Sequence, residues 1–419
     1  MPILRPLLLA SLLFCTAPIT DLHPLAETRR SVQATDAEIS KANIKAFNEA
    51  WETLRGNFYD PKFEGLDWDL VGRRYRIFAD GPNADIAEII KRMLSELRAS
   101  HTGYYTPDEI AYYDLADIFS NGLRRELEKR FPKGEVAYDG IGMTTRVIEG
   151  RTFISGIFDG LPAAQARLMV GDEILSADGA AFAPVRTFTG KAGKNVRLMI
   201  RREFQGQPIS IDVTPQVLHP NDTYLAAMKN GARLIEKDGR KLAYVHIWSY
   251  ARRDYQDLLE ELVDGKFKDA DGLIWDLRDG WGGGQPYYLD IFNARSPTLT
   301  FKERDGSGTV NARWRKPAVL IVNGGSRSAK EILAYGFKKY GYGEVVGTKT
   351  AGAVLAGRAF IQSNGNLLLI AVSDVTVDSE RLEGVGVSPD YEVPFDIRYA
   401  KGADPQLAKA IEVLLRRIN

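Results

Sequence analysis

Ala318-Val-Leu-Ile-Val322-Asn-Gly-Gly-Ser-Arg-Ser328-Ala-Lys-Glu-Ile332 is the stretch that decides the fold. Five apolar residues in a row predict a strand buried on both faces. Small residues end it, and a helical pattern over 329–339 follows at once. A buried strand that turns straight into a helix is the repeating unit of a parallel α/β sheet. Working outward, Gly272-Leu-Ile-Trp-Asp276 reads as a second buried strand, ending in a glycine-rich turn over 280–284. Tyr244-Val-His-Ile-Trp248 reads as a third, and 345–347 and 367–372 as further strands. Helices are expected over 255–263 and 405–417.

Before Pro215 the texture changes. From Val136 to Asp212 the chain alternates in short β runs with glycine turns, such as Thr152-Phe-Ile-Ser-Gly-Ile157 and Val196-Arg-Leu-Met-Ile200, with a small helix over 163–167 between them. Residues 36–131 are helical in pattern: Ile39, Ala42, Phe47, Ala50, Trp51 and Leu54 recur near every 3.6 positions. Pro61 breaks that run, 66–78 resumes it, and 84–97 is a strongly amphipathic segment leading into Ala99-Ser100-His101-Thr102. A charge-rich helical stretch follows over 108–131.

The chain has 419 residues, a prior of two or three domains at ~150 residues each. Lys+Arg and Asp+Glu both number 55, so formal net charge is zero, which argues against nucleic acid as the principal partner. The single cysteine, Cys15, excludes a disulfide framework, a cysteine-held zinc and a thiol protease. Its four histidines include no pair at helix-borne metal spacing, so no metal or other cofactor is expected.

Residues 1–20, MPILRPLLLASLLFCTAPIT, carry Arg5 ahead of an apolar run from Leu7 to Cys15 that is too short to span a bilayer. The expectation is a signal peptide, an exported (periplasmic or extracellular) protein, a polar tether over 21–35 and no stable membrane span. A lipid anchor on Cys15 fits less well, because bulky Phe14 precedes it. A buried N-terminal helix is the alternative to export.

Four local signals carry chemistry. Ser328 stands at the mouth of a helix, where free N–H groups can face a developing oxyanion; a helix-capping serine is the plainer explanation. Asp276-Leu-Arg-Asp-Gly-Trp-Gly282-Gly283-Gly284 allows close backbone approach after a buried strand, but it lacks a phosphate-loop ending, and a tight turn explains it equally. His101, after Ser100, would be a general base in its neutral form. Glu383 heads the glycine-rich turn Leu382-Glu-Gly-Val-Gly-Val-Ser-Pro-Asp390, where carboxylates are usually just solvated.

As an ordered set these segments are specific. With Phe47-Asn-Glu-Ala-Trp51, Asn57-Phe-Tyr-Asp60, Leu66-Asp-Trp68, Leu94-Ser-Glu-Leu97-Arg-Ala-Ser-His101, Val346-Gly347 and Thr350-Ala-Gly352, the chain resembles the tail-specific, carboxyl-terminal processing serine proteases, and within them the tricorn-core branch. The resemblance covers nearly everything from about residue 40. It implies an α/β multidomain fold: a helical N-terminal part (36–131), a PDZ-like β-rich domain (136–215) and an α/β, ClpP/crotonase-like catalytic core (220–419). The middle segment is similar to PDZ modules in Asp159-Gly-Leu-Pro-Ala163 and Gly171-Asp-Glu-Ile-Leu175, with Gly140, Ile141 and Gly142 as the implied carboxylate-binding loop. Such modules capture a C-terminal tail as an added strand, so a protein or peptide substrate is implied; oligomeric state is not.

Many members pair the serine with a lysine just after Val-Gly-x-x-Thr-x-Gly, but here that place holds Ala353. Lys349 stands four positions earlier on a turn, and Lys330, two positions past Ser328 on a helix, should point away. The resemblance to the tricorn branch instead implies Ser328 as nucleophile, His101 as base, Glu383 acting through Ser100, and Gly282 with the Ala329 amide as oxyanion donors. Arg327, Lys330 and Asp279-Gly280 depart from the usual pattern. The runner-up is a catalytically silent relative that binds peptides or other ligands on the same fold.

Overall fold

The computed structural model describes residues 35–131, 134–293, 295, 297, 299–310 and 313–419. The stretch expected to direct export, 1–20, lies outside them, as does the tether up to residue 34. Among the described residues no helix is long and apolar enough to cross a membrane.

The centre is a six-stranded sheet in the order Tyr391–Glu392, Gly343–Gly347, Ala318–Val322, Gly272–Asp276, Arg240–His246, Arg233–Lys237. The first five run parallel and the last is antiparallel. Both central strands are buried along their whole length, as expected where helices cover both faces. Side chains alternate between two cores. Leu273, Trp275, Leu320 and Val322 pack with the helices Asp254–Asp264 and Ala329–Lys339. Ile274, Val319 and Ile321 pack with Ala410, Val413 and Leu414 of the helix Pro405–Ile418. The two central strands and the helix Ala329–Lys339 fall where the sequence predicts them. The antiparallel edge strand Arg233–Lys237 was not expected; its largely exposed face leaves little apolar alternation to read.

The second unit is a five-stranded antiparallel sheet in chain order: Met143–Ile148, Arg151–Ile157, Glu173–Ala177, Val196–Arg201, Ile209–Val213. It has its own core around Ile154, Leu168, Ile174, Phe188 and Leu198. The chain enters and leaves it through paired strands, Tyr138–Gly140 against Gln216–Leu218, so it is an insertion on a two-strand stem.

The N-terminal helices Asp36–Asn57, Trp68–Ala79 and Ile86–Ser95 do not make a separate body. Phe47, Ala50, Leu54, Ile90 and Leu94 share one core with Leu368 and Ile370. The strand Leu367–Ser373 lies between Gly103–Tyr105 and Ala356–Ile361 in a three-stranded antiparallel sheet. The expected spans 36–131 and 220–419 therefore interpenetrate. This sheet carries His101 at the entry to one strand and residues 352–355 at the entry to another, so packing of the first helices sets the site.

Candidate active site

Ser328 follows the strand Ala318–Val322 with φ 58° and ψ −131°, in the left-handed half of backbone space. A non-glycine residue there is held by its surroundings. The holding contacts run to the neighbouring strand exit. Asn323 Oδ1 accepts from the Gly325 amide at 2.9 Å and from the Asp279 amide at 3.1 Å. Ser326, fully buried, donates from Oγ to the Leu277 carbonyl at 2.9 Å. The Ser328 amide donates to the Ala353 carbonyl at 2.8 Å. Ser328 does precede the helix, but its hydroxyl makes no capping hydrogen bond, so the side chain is free for other work.

Gly282 lies against this serine. A β-carbon there would stand 2.5 Å from Ser328 Cβ and 2.9 Å from both Ser328 Oγ and the Ala329 nitrogen. Among the described residues neither the Gly282 amide nor the Ala329 amide donates to an acceptor. The Gly282 and Ala329 backbones, each with an unused N–H, thus lie beside the Ser328 side chain.

His101 and Glu383 meet through Ser100. Ser100 Oγ is 2.9 Å from His101 Nδ1 and donates to Glu383 Oε2 at 2.8 Å. Glu383, buried in its turn, also accepts from the amides of Ser100 (2.9 Å), Val354 (2.7 Å) and Leu355 (3.2 Å). A carboxylate only accepts, so the single Ser100 proton goes to Glu383. The Ser100 oxygen then accepts from Nδ1–H, and Nε2 keeps its lone pair. Burial pushes the His101 imidazole down, the Arg327 guanidinium adds to this, and Glu383 pulls the other way; the result is about 4. The ring is therefore neutral at neutral pH. Among the described residues no hydrogen bond joins His101 to Ser328.

Residues 352–355 tie the two halves together. Ala353 accepts from the Ser328 amide, while the next amide, Val354, donates to Glu383. Glu331, fully buried, accepts from Thr350 Oγ1 (2.6 Å) and from the amides of Gly352 and Ala353 (both 2.7 Å). Burial pushes its carboxyl up, against the pull of those donors.

Among the described residues no hydrogen bond joins Lys330 to Ser328. Lys330 is fully buried and gives its three protons to the carbonyls of Ile247 (2.6 Å), Trp248 (3.3 Å) and Asp279 (2.6 Å). It therefore staples the turn that carries Gly282. Burial lowers its ammonium to about 7. Lys349 is exposed on its turn. Behind the same turn, Trp281 donates from Nε1 to Asp114 Oδ2 at 3.0 Å, which also accepts from Tyr224. Burial raises the Asp114 carboxyl to about 7. Asp276 and Arg278 form a buried pair at 2.6 Å that continues to Asp404 at 2.7 Å. Burial pushes the Asp276 carboxyl up, but Arg278 overcomes this and holds it well below the usual range. Sequence reading assigned no role to Lys330, Asp114, Asn323 or Ser326. Pattern alone cannot show which polar residue the fold will bury.

The expected carboxylate loop is anchored through its carbonyls. Ile141 is buried and accepts at its carbonyl from Ala163, Gly142 accepts from Phe158, and Gly140 pairs with Gln216. The space beside it is walled by Ile110, Phe182 and Phe188.

Residues 241–393 match the family described as Peptidase family S41, and residues 44–95 match the Tricorn protease C1 domain. The match to peptidase family S41 is thus carried by residues 241–393. The S41 match spans the strands and turns that hold Ser328, Gly282 and Glu383, and the tricorn match spans the helices beneath His101. The carboxy-terminal processing protease CtpB of Bacillus subtilis is 25% identical over 292 residues, 66% of this chain and 59% of that protein. Tricorn protease homolog 1 of Streptomyces coelicolor is 27% identical over 395 residues, 89% of this chain and 35% of that protein. The chain thus spans less than two thirds of either relative. The solved tricorn protease shares the fold at TM-score 0.54, with 18% identity over 91% of this chain and 37% of that one. These likenesses agree with the expected α/β multidomain architecture.

Proposed function

We propose that this chain is a serine endopeptidase that hydrolyses peptide bonds in protein or peptide substrates through Ser328, His101 and Glu383. The observation that carries this is the free Ser328 hydroxyl set against two unused amides, with a neutral, oriented imidazole on the adjoining segment. In the proposed reaction His101 Nε2 takes the Ser328 proton as Oγ attacks the scissile carbonyl carbon. The Gly282 and Ala329 amides receive the oxyanion, each donor supplying about 10²–10³ in rate. The tetrahedral adduct collapses, the leaving amine takes the proton from His101, and water then frees the acyl group by the same steps. Glu383, acting through Ser100, stabilises the transient imidazolium.

The inserted five-stranded sheet is PDZ-like in this reading. Its first strand, Met143–Ile148, has a neighbour on one side only, so a substrate tail can add there as a strand. Capture at Gly140, Ile141 and Gly142 requires the apolar wall of Ile110, Phe182 and Phe188 to open. The Arg5-to-Cys15 segment supports export as the protein's destination.

A fluorophosphonate probe tests the reading. Wild-type protein should label and lose peptidase activity together, Ser328→Ala should not label, and His101→Ala should label far more slowly while Lys349→Ala labels normally. Full activity in His101→Ala sinks the mechanism. No labelling of folded wild-type protein favours the silent peptide-binding relative.

A further inference from the structure

Arg327 precedes the nucleophile and is only half-buried. Its guanidinium carbon lies 5.3 Å from the centre of the Trp281 ring, the residue before Gly282. Its Nε is buried and, among the described residues, has no acceptor, and the side chain makes no hydrogen bond or ion pair there. Its charge acts on both His101 and Tyr105.

The carboxylates around it are committed elsewhere. Glu383 holds Ser100, Val354 and Leu355. Glu331 holds Thr350, Gly352 and Ala353. Asp114 takes Trp281 and Tyr224, and Asp279 takes Asn323 and faces Arg146 at 3.7 Å. Glu109 accepts from Lys91 and Thr106. A partly desolvated guanidinium without a counter-ion is costly, and here it also weakens the base beside it. Both penalties disappear if the counter-ion arrives with the substrate.

We propose that Arg327 is a carboxylate-binding subsite of the cleft, so that the preferred peptide bears a negative charge within about two residues of the scissile bond. The substrate-specificity claim rests on the peptidase reading above; the binding site itself does not. The guanidinium, held over the Trp281 ring, offers a planar fork to the carboxylate. Neutralising it at the moment of binding also restores basicity to His101, so an acidic substrate improves its own catalyst. The carboxylate comes from an Asp or Glu side chain or from the α-carboxylate of a tail, and the test separates these.

Binding is read on full-length Ser328→Ala protein, which cannot turn the probes over. The probes are random peptide pools with one position fixed as Glu or as Gln, each with a free or an amidated C terminus. The expected result is about tenfold tighter retention of Glu over Gln at one position, or of free over amidated termini. The ratio should fall to about one in Ser328→Ala/Arg327→Gln. Arg327→Lys, which keeps charge but loses the fork, should leave an intermediate ratio; it serves if the Gln variant does not fold. Equal retention of acid and amide in every pool overturns the proposal, as does a ratio unmoved by either Arg327 change. Absence of fluorophosphonate labelling would refute the peptidase reading separately, leaving the retention ratios to decide the carboxylate site.

Discussion

Ser100 Oγ donates to Glu383 Oε2 at 2.8 Å although 283 positions separate the two residues. The bond fixes three things at once. It directs the only Ser100 proton to the carboxylate, it makes the Ser100 oxygen an acceptor for His101 Nδ1, and it leaves Nε2 as the basic nitrogen. Ser100→Ala cuts this line while Val354 and Leu355 still hold Glu383. The rate of probe labelling at Ser328 should drop by about 10²-fold, with the melting temperature nearly unchanged. A rate within error of wild type would show that Glu383 does not act on His101 through this hydroxyl.

The acid limb of activity should lie low. His101 works as a base only when neutral, and burial with Arg327 nearby brings its protonation to about 4. Below that value the imidazole is charged and kcat/KM falls; above it the base is ready. Arg327→Gln removes one of the depressing charges, so its acid limb should move to higher pH. Profiles of kcat/KM for both proteins check this, and a limb that stays in place or moves down contradicts the assigned neighbourhood.

Gly282 admits no side chain. Its β-carbon would press on Ser328 Cβ and crowd the Ala329 amide. Gly282→Ala should cost about 10²–10³ in kcat with a small change in unfolding free energy, because the strain falls on the cleft and not on the core. Loss of folding in parallel with activity would mark the glycine as structural.

Lys330 is expected to matter for stability and for the turn it staples. Lys330→Met fills the volume but strips the Ile247 and Asp279 carbonyls of their donor, while the Trp248 carbonyl keeps the Trp281 amide. Urea unfolding should show a loss of about 3 kcal/mol, together with slower labelling at Ser328. A variant as stable as wild type would mean that water satisfies those carbonyls.

Much of the framework was legible from one chain of letters. The runs Gly272–Asp276 and Ala318–Val322 contain no break in hydrophobicity, and a strand buried on both faces permits no other pattern. The helix Ala329–Lys339 begins where small residues yield to a helical period. His101, Glu383 and Ser328 could be singled out because the order of short motifs resembles one family. What the letters could not carry was burial of polar groups. Lys330 was expected only to point away from Ser328, and Glu331 carried no signal of its own; both are fully buried. Asp114 sat unnoticed in the charge-rich helical stretch over 108–131. Local sequence reports the period of a segment, whereas burial depends on which distant segment lands on it. Sequence by itself therefore determined the central strands, the helices that cover them and the reactive groups at hand. Only tertiary structure decided that helices from the first hundred residues would share a core with strands near residue 370. That shared packing brings Ser100 to Glu383, because contacts between remote segments form only when the whole apolar surface is buried together.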